Sequence, residues 1–322
     1  MNGPEPKIEI FNPFGEAFEL MKKILFQPFD ITKWLVIGFA AFLARFSTGF
    51  HTSFNPVGNF NGREDRKAIA ESIRGFTGID QMEWWLIALI VAGVLVFLAL
   101  VIVLMWLGAR GRFIFTDCIV YNRGAIVAPW KEFRIQGNSF FLFSLLVALV
   151  VMVLIVVAAF ALVLPMILQG NNARPGIGFW IGLGLFLFFV LSLSIGWAVI
   201  SQLMVPIMYR QRCLARQAFA QSVKLITDYP GPILLYFLFL IVIVIASAMI
   251  SCLAACLTCC IAAIPYVGTV ILLPIPVTLC GFALFFLRQF GPDYDVWAGI
   301  PQPEPPPISS PPPLPIPPPL QT

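Results

Sequence analysis

Charge is what this chain has least of. Only 11% of its 322 residues are charged, against about 25% in a water-soluble domain. Histidine is scarcer still, with His51 alone. A single imidazole excludes a histidine-rich metal site and a Ser-His-Asp triad. No Asp, Glu, Lys, Arg or His stands at the centre of any long apolar run. That absence argues against a proton-coupled carrier and an intramembrane metalloprotease, both of which need ionisable groups inside the bilayer. Arg45 and Arg288 lie near run ends, where long side chains reach the interface. No cleavable leader is expected, because the first 33 residues mix Lys and Glu and the first run begins at Trp34.

What is present is hydrocarbon. The chain is 59% apolar with 31 Phe, and its apolar residues gather in runs at 34–50, 84–107, 140–168, 177–209, 233–260 and 266–287. A helix needs about 20 apolar residues to cross a bilayer, and every run but the first meets that length. The expected fold class is an all-α polytopic membrane protein with about six transmembrane helices in three hairpins, each preceded by an amphipathic cytoplasmic helix. The expected division is a cytoplasmic amphipathic arm at 1–33, a six-span membrane domain at 34–290 and a proline-rich tail at 291–322.

Lys and Arg set the orientation. With six spans, fourteen fall on the side of both termini and five on the other, Arg45 being counted apart within the first run. Positive charge stays inside, so both termini are expected in the cytoplasm of a cell inner membrane. Trp34, Trp84, Trp85, Trp180, Tyr209 and Tyr266 sit near run ends, as interfacial rings do. In the long external connection, Asn61 and Glu64 have capping-box spacing, and Ile69, Ile73 and Phe76 repeat at helical spacing. A short helix on the outer surface is expected there, a lid being the alternative.

Three inner-face segments look alike: Ala17 to Ile24, Pro129 to Ile135 and Ala218 to Leu225. Each pairs an aromatic with a later cation and then turns at Pro, Gly or Asn. In the first, Phe14, Phe18, Met21 and Leu25 form one apolar stripe opposite Glu16, Glu19, Lys22 and Lys23, with Asn12-Pro13 as the expected cap. Such helices lie flat among headgroups. Any interfacial helix shares that pattern, so internal repetition is one of two explanations.

No catalytic, metal or cofactor-binding residue is expected. Cys252, Cys256, Cys259 and Cys260 share the end of one run. Their Leu, Ala, Ile and Thr neighbours suit packing better than a thiolate site, which would need a polar pocket. Basic residues beside the membrane, Arg110, Arg112, Arg123, Arg134, Arg210, Arg212 and Arg216, are candidate contacts for lipid phosphate. The competing explanation is charge that only sets topology. Asp117 and Glu132 lie in the same stretch. Ser192, Ser194, Ser201 and Gln202 form the candidate intramembrane polar face, either as interhelical glue or as the lining of a path. Pro274 and Pro276 mark the last run for a broken helix.

From Pro301 to Pro319, twelve of nineteen residues are proline. Such a stretch forms an extended rod, a spacer or a ligand for an aromatic groove on a cytoplasmic protein. The expected partners are membrane lipids and such a protein, with no nucleic acid.

The stretch Leu25 to Ala44, followed by Arg112-Phe113 and Asp117, resembles an uncharacterised family of bacterial six-span membrane proteins. More distantly, the hairpin pattern is similar to the membrane domain fused to some glycerophosphodiester phosphodiesterases. The resemblance covers roughly Phe11 to Phe290 and implies architecture only, since the phosphodiesterase barrel with its metal-binding acids and His is absent. The expected function is non-enzymatic organisation of lipids or partner proteins. A transporter or channel for a lipid-like or neutral solute, through the fourth and sixth spans, is the alternative. An enzyme acting on headgroups is the third.

Overall fold

A computed structural model describes residues 8–48, 84–168, 176–257 and 264–298. The expected surface helix near Asn61, the residues Cys259 and Cys260, and the proline-rich stretch lie outside the described residues. Among the described residues every regular element is helical. In chain order these are α1 (Phe11–Leu25), α2 (Ile31–Thr48), α3 (Trp84–Val120), α4 (Val127–Glu132), α5 (Arg134–Leu168), α6 (Ile177–Gln211), α7 (Ala215–Asp228), α8 (Pro230–Leu257), α9 (Pro265–Ile271) and α10 (Pro274–Arg288).

Four helices, α3, α5, α6 and α8, are long and apolar enough to cross a membrane. At 1.5 Å per residue the 37-residue α3 is about 55 Å long, well beyond a hydrocarbon layer of about 30 Å. The excess is one of the corrections to the sequence expectation. Instead of ending at Leu107, α3 continues through the basic stretch to Val120, and its buried residues run from Gly108 onward. The continuation holds because that segment packs along α2. In contrast, the most apolar windows of α3, α5 and α6 bury nothing against the rest of the chain. An apolar surface of that kind is stable only in a nonpolar surrounding.

The packed core therefore sits at one end, where the basic residues gather. It joins Phe113 to Val120 of α3, Phe140 of α5, Met204 to Tyr209 of α6 and Val277 and Leu284 of α10 to α1 and α2. A second cluster places Tyr236 of α8 against Phe282 and Phe286, with centroids 4.9 and 4.2 Å away. The start of α1 is tied to the end of α10 by Glu9 N–H donating to Gln289 Oε1 at 2.7 Å and Gln289 Nε2 donating to the Glu9 carbonyl at 2.9 Å. Both ends of the described chain thus lie at this basic end.

The first run forms the 18-residue α2, while the last is divided between α9 and α10. Lys33 donates to Asn122 Oδ1 at 2.6 Å, just past the end of α3, while Gly111 abuts Leu43 and Ala44. α2 is thus antiparallel to the buried part of α3. The last run breaks at Leu272 and Leu273, immediately before Pro274, leaving α9 against α2 and α10 against α1.

The three similar segments become α1, α4 and α7, of 15, 6 and 14 residues. The stripe expected on α1 is rotated: Pro13, Ala17, Met21, Ile24 and Leu25 are buried, while Phe18 turns outward beneath Lys22. Small Ala17 allows this, since it sits opposite Gly281 of α10, where a Cβ would come within 3.3 Å. Asn12 is not a cap but stands in the first turn, donating to Glu9.

Candidate functional site

Five helices leave a cleft of about 380 Å³ between them, above the packed core. On α6 the lining residues are Ala198, Ser201, Gln202, Val205 and Pro206, the i, i+3, i+4, i+7, i+8 positions of a single face. α10 presents Pro276, Leu279, Cys280 and Ala283 with the same period. Arg112, Phe115 and Thr116 of α3 and Ala41, Ala44 and Arg45 of α2 close one side, and Leu240 and Val244 of α8 the other. Small residues leave the space open. Pro206 has no N–H for the Gln202 carbonyl one turn back, so the α6 ladder is interrupted beside the cleft.

Most of the cleft wall is apolar, and its polar groups are unevenly signed. Arg45 donates to Thr269 Oγ1 at 3.3 Å. The Arg112 guanidinium lies over the Phe140 ring at 5.3 Å and has no carboxylate or hydrogen-bond acceptor among the described residues. Thr116 donates to the Arg112 carbonyl at 2.9 Å, and Ser201 to the Ala198 carbonyl at 3.1 Å. No Asp or Glu lines the cleft among the described residues. Val244 of the lining is 40% exposed, on a stretch of α8 where Ile241, Val242 and Ile245 are exposed as well.

The other sequence candidates fall into two groups. Arg110 is buried between Trp106 and Trp130, at 4.5 and 4.8 Å, and donates through Nε and Nη2 to Asn138 Oδ1 at 3.1 and 2.9 Å. Arg123 donates from Nε and Nη2 to Asp117 Oδ2 at 3.2 and 3.0 Å, while the Tyr209 hydroxyl donates to Oδ1 at 3.0 Å. Burial opposes the Arg123 charge, but the Asp117 hydrogen bond and charge outweigh it and hold its pKa above the ordinary value. Arg212 pairs with Glu132 and covers the Phe133 ring at 4.0 Å. Of these three arginines, expected at lipid phosphate, Arg110 ties α3 to α4 and α5, Arg212 ties the end of α6 to α4, and Arg123 holds Asp117 near the end of α3. Arg134 and Arg216 are exposed and Arg210 half-buried, at positions open to headgroups.

Asp117 and Glu132 do not converge on an open pocket. Each is engaged by its own arginine. Of the polar face, only Ser201 and Gln202 reach the cleft. Ser192 and Ser194 are exposed, and the Ser192 hydroxyl donates to its own helix at Phe188 O, 2.8 Å away. Cys252 and Cys256 are exposed on α8, burial raises the Cys213 thiol pKa, and no group of three metal-ligating side chains occurs among the described residues.

Sequence reasoning missed Thr116, Cys280 and Arg45 as cleft residues. Arg45 was assigned to the membrane surface by its place in the run. The signal that could find them is helical spacing: each shares one face of its helix with other lining residues, as Ala41, Ala44 and Arg45 do on α2.

A family model described as a family of unknown function (DUF7544) matches residues 9–292. No curated protein and no solved structure matches the chain. The comparisons lend no support to a likeness to glycerophosphodiester phosphodiesterases.

Proposed function

The chain belongs to the DUF7544 family, whose function is unknown, and from the cleft we propose that it is a multi-pass membrane protein that binds and organises lipids without catalysing a reaction. The observation that carries this is a cleft with apolar walls and two arginines, open on the side of the apolar helix surfaces. An amphiphile in the bilayer matches that combination: its polar part meets the cations and its chains stay among apolar side chains. Engagement of Asp117 and Glu132 in ion pairs supports a non-enzymatic role, since a general base needs a carboxylate free to accept a proton.

Mild detergent extraction followed by native mass spectrometry is expected to find about one lipid per chain, and Ala198→Trp, which fills the mouth of the cleft, is expected to remove it. A chain that carries no lipid would overturn the proposal. Conversion of the bound lipid to a new product would overturn its non-enzymatic part.

A second reading, transport of a lipid-like solute, is favoured by the location of the cleft between α6 and the broken α9–α10 segment. Movement of a labelled lipid between leaflets of liposomes containing the protein would select it over simple binding.

The threading we propose is six passes of a cell inner membrane, in three hairpins with both termini cytoplasmic. α3 begins and α8 ends at the far end of the bundle, while both described chain ends lie at the basic end. Two passages beyond the four long helices, one before α3 and one after α8, would bring both described chain ends to the basic end. The proline-rich tail would then be a cytoplasmic ligand for a partner protein. An epitope after Thr322 is expected to be labelled in inside-out vesicles and not in intact cells, and truncation after Gly299 to abolish capture of a specific partner. Labelling of intact cells would reject the orientation, and unchanged capture would reject the role of the tail.

A further inference from the structure

We infer that the cleft selects a phosphate-bearing anionic lipid headgroup over a zwitterionic one, with Arg112 as the principal contact. This inference rests on the lipid-binding reading above and sharpens it to a ligand class.

The argument starts from charge. Two cations line the cleft and, among the described residues, no carboxylate does. Arg112 spends its guanidinium face on Phe140, and its N–H groups meet no acceptor among the described residues. A guanidinium beside hydrocarbon is costly when unpaired, and a phosphate satisfies it with two parallel charge-assisted hydrogen bonds. Contact with the ring engages none of the guanidinium N–H donors, which stay available to a ligand. Arg45, already held by Thr269, adds positive charge from the neighbouring helix. Thr116, Ser201 and Gln202 place neutral polar groups in the same space, suited to a glycerol or hydroxyl-bearing headgroup.

A zwitterionic headgroup fits this lining badly. Its ammonium would enter beside two cations with no carboxylate to receive it, so its phosphate gain is offset by repulsion. Size points the same way. About 380 Å³ accommodates a headgroup and the start of its chains rather than a whole two-chain lipid. The chains would leave past Val244, where the cleft is open.

The test uses the full chain, delipidated and then offered phosphatidylglycerol and phosphatidylcholine in equal amounts, with bound lipid counted by native mass spectrometry. Phosphatidylglycerol is expected to be retained roughly tenfold over phosphatidylcholine, the difference made by about one charge-assisted hydrogen bond. Arg112→Gln is expected to bring that ratio near one, Arg112→Lys to leave it intermediate, and the exposed Lys23→Gln to leave it unchanged. A thermal melt of each variant separates loss of binding from loss of fold. Should Arg112→Gln not fold, Arg112→Lys decides: a ratio equal to that of the unaltered chain overturns the inference.

Equal retention of both lipids by the unaltered chain would overturn the selectivity and leave the lipid-binding reading standing. Retention of neither would overturn that reading itself. A preference that survives Arg112→Gln in a folded variant would place the selectivity elsewhere and also overturn the inference. In a separate arm inorganic phosphate alone is offered. Displacement of phosphatidylglycerol by millimolar phosphate would identify a free anion, not a lipid headgroup, as the ligand.

Discussion

Gly111→Ala is expected to produce one of the largest losses of stability of any single methyl group added to this protein. A Cβ at Gly111 would stand 2.7 Å from the Ala44 nitrogen, the Leu43 carbonyl carbon and Leu43 Cβ. Two of those atoms are backbone, so no rotamer change relieves the collision, and α2 must move away from α3. Forcing extra volume into a packed interface costs about 1–3 kcal/mol, sometimes more. The cost here belongs at or above the top of that range because whole helices must separate. Gly15 is the internal control. It is also helical, but nothing lies within 4 Å of its added Cβ, so Gly15→Ala is expected to be neutral or slightly stabilising. Thermal melts of both variants in one detergent measure the difference. Equal melting temperatures would mean that the α2–α3 apposition is looser than these distances require. Since Arg45 follows Ala44 and Arg112 follows Gly111, the same variant is expected to weaken lipid retention by widening the cleft.

The second large effect is expected at Asp117. Its side chain is fully buried and accepts hydrogen bonds from Arg123 on one oxygen and Tyr209 on the other. Asp117→Ala would leave the buried Tyr209 hydroxyl without its acceptor and the Arg123 cation without its counter-charge. Breaking a buried pair costs about 3–5 kcal/mol when both ions are out of water. The Arg123 side chain is 42% exposed, so water recovers part of that loss and about 2–3 kcal/mol is expected. Asp117→Asn keeps an acceptor for Tyr209 and removes only the charge, so it should fall between Ala and the unaltered chain. Tyr209→Phe removes one neutral donor and is expected to cost about 1 kcal/mol. A double-mutant cycle between Asp117→Asn and Arg123→Gln isolates the pair. A coupling near zero would show the two charges contributing independently, against the geometry.

How much could be read in advance differs from residue to residue. Ile177 marked a helix start legible from hydropathy alone, and α6 begins there. Pro274 announced the break in the last run, because a ring without an N–H cannot continue a helix. Gln202 was visible as a polar residue inside an apolar run, and it lines the cleft. Arg110, Arg123 and Arg212 were equally visible as charges, yet their roles were not. Each could have met a lipid phosphate, a carboxylate or an aromatic ring, and one-dimensional order does not say which. The end of α3 was misplaced for the same reason: Gly108 to Val120 is too polar for hydrocarbon, but α2 covers it.

Composition and run length by themselves determined that this chain is helical and belongs with membranes. A backbone surrounded by hydrocarbon must satisfy its own hydrogen bonds, and a run with so few charges has no other stable surrounding. Only the tertiary structure decided which arginines tie helices together and which two line an open cleft. A guanidinium takes its role from the group packed against it, and in this fold that group comes from a helix distant in the chain.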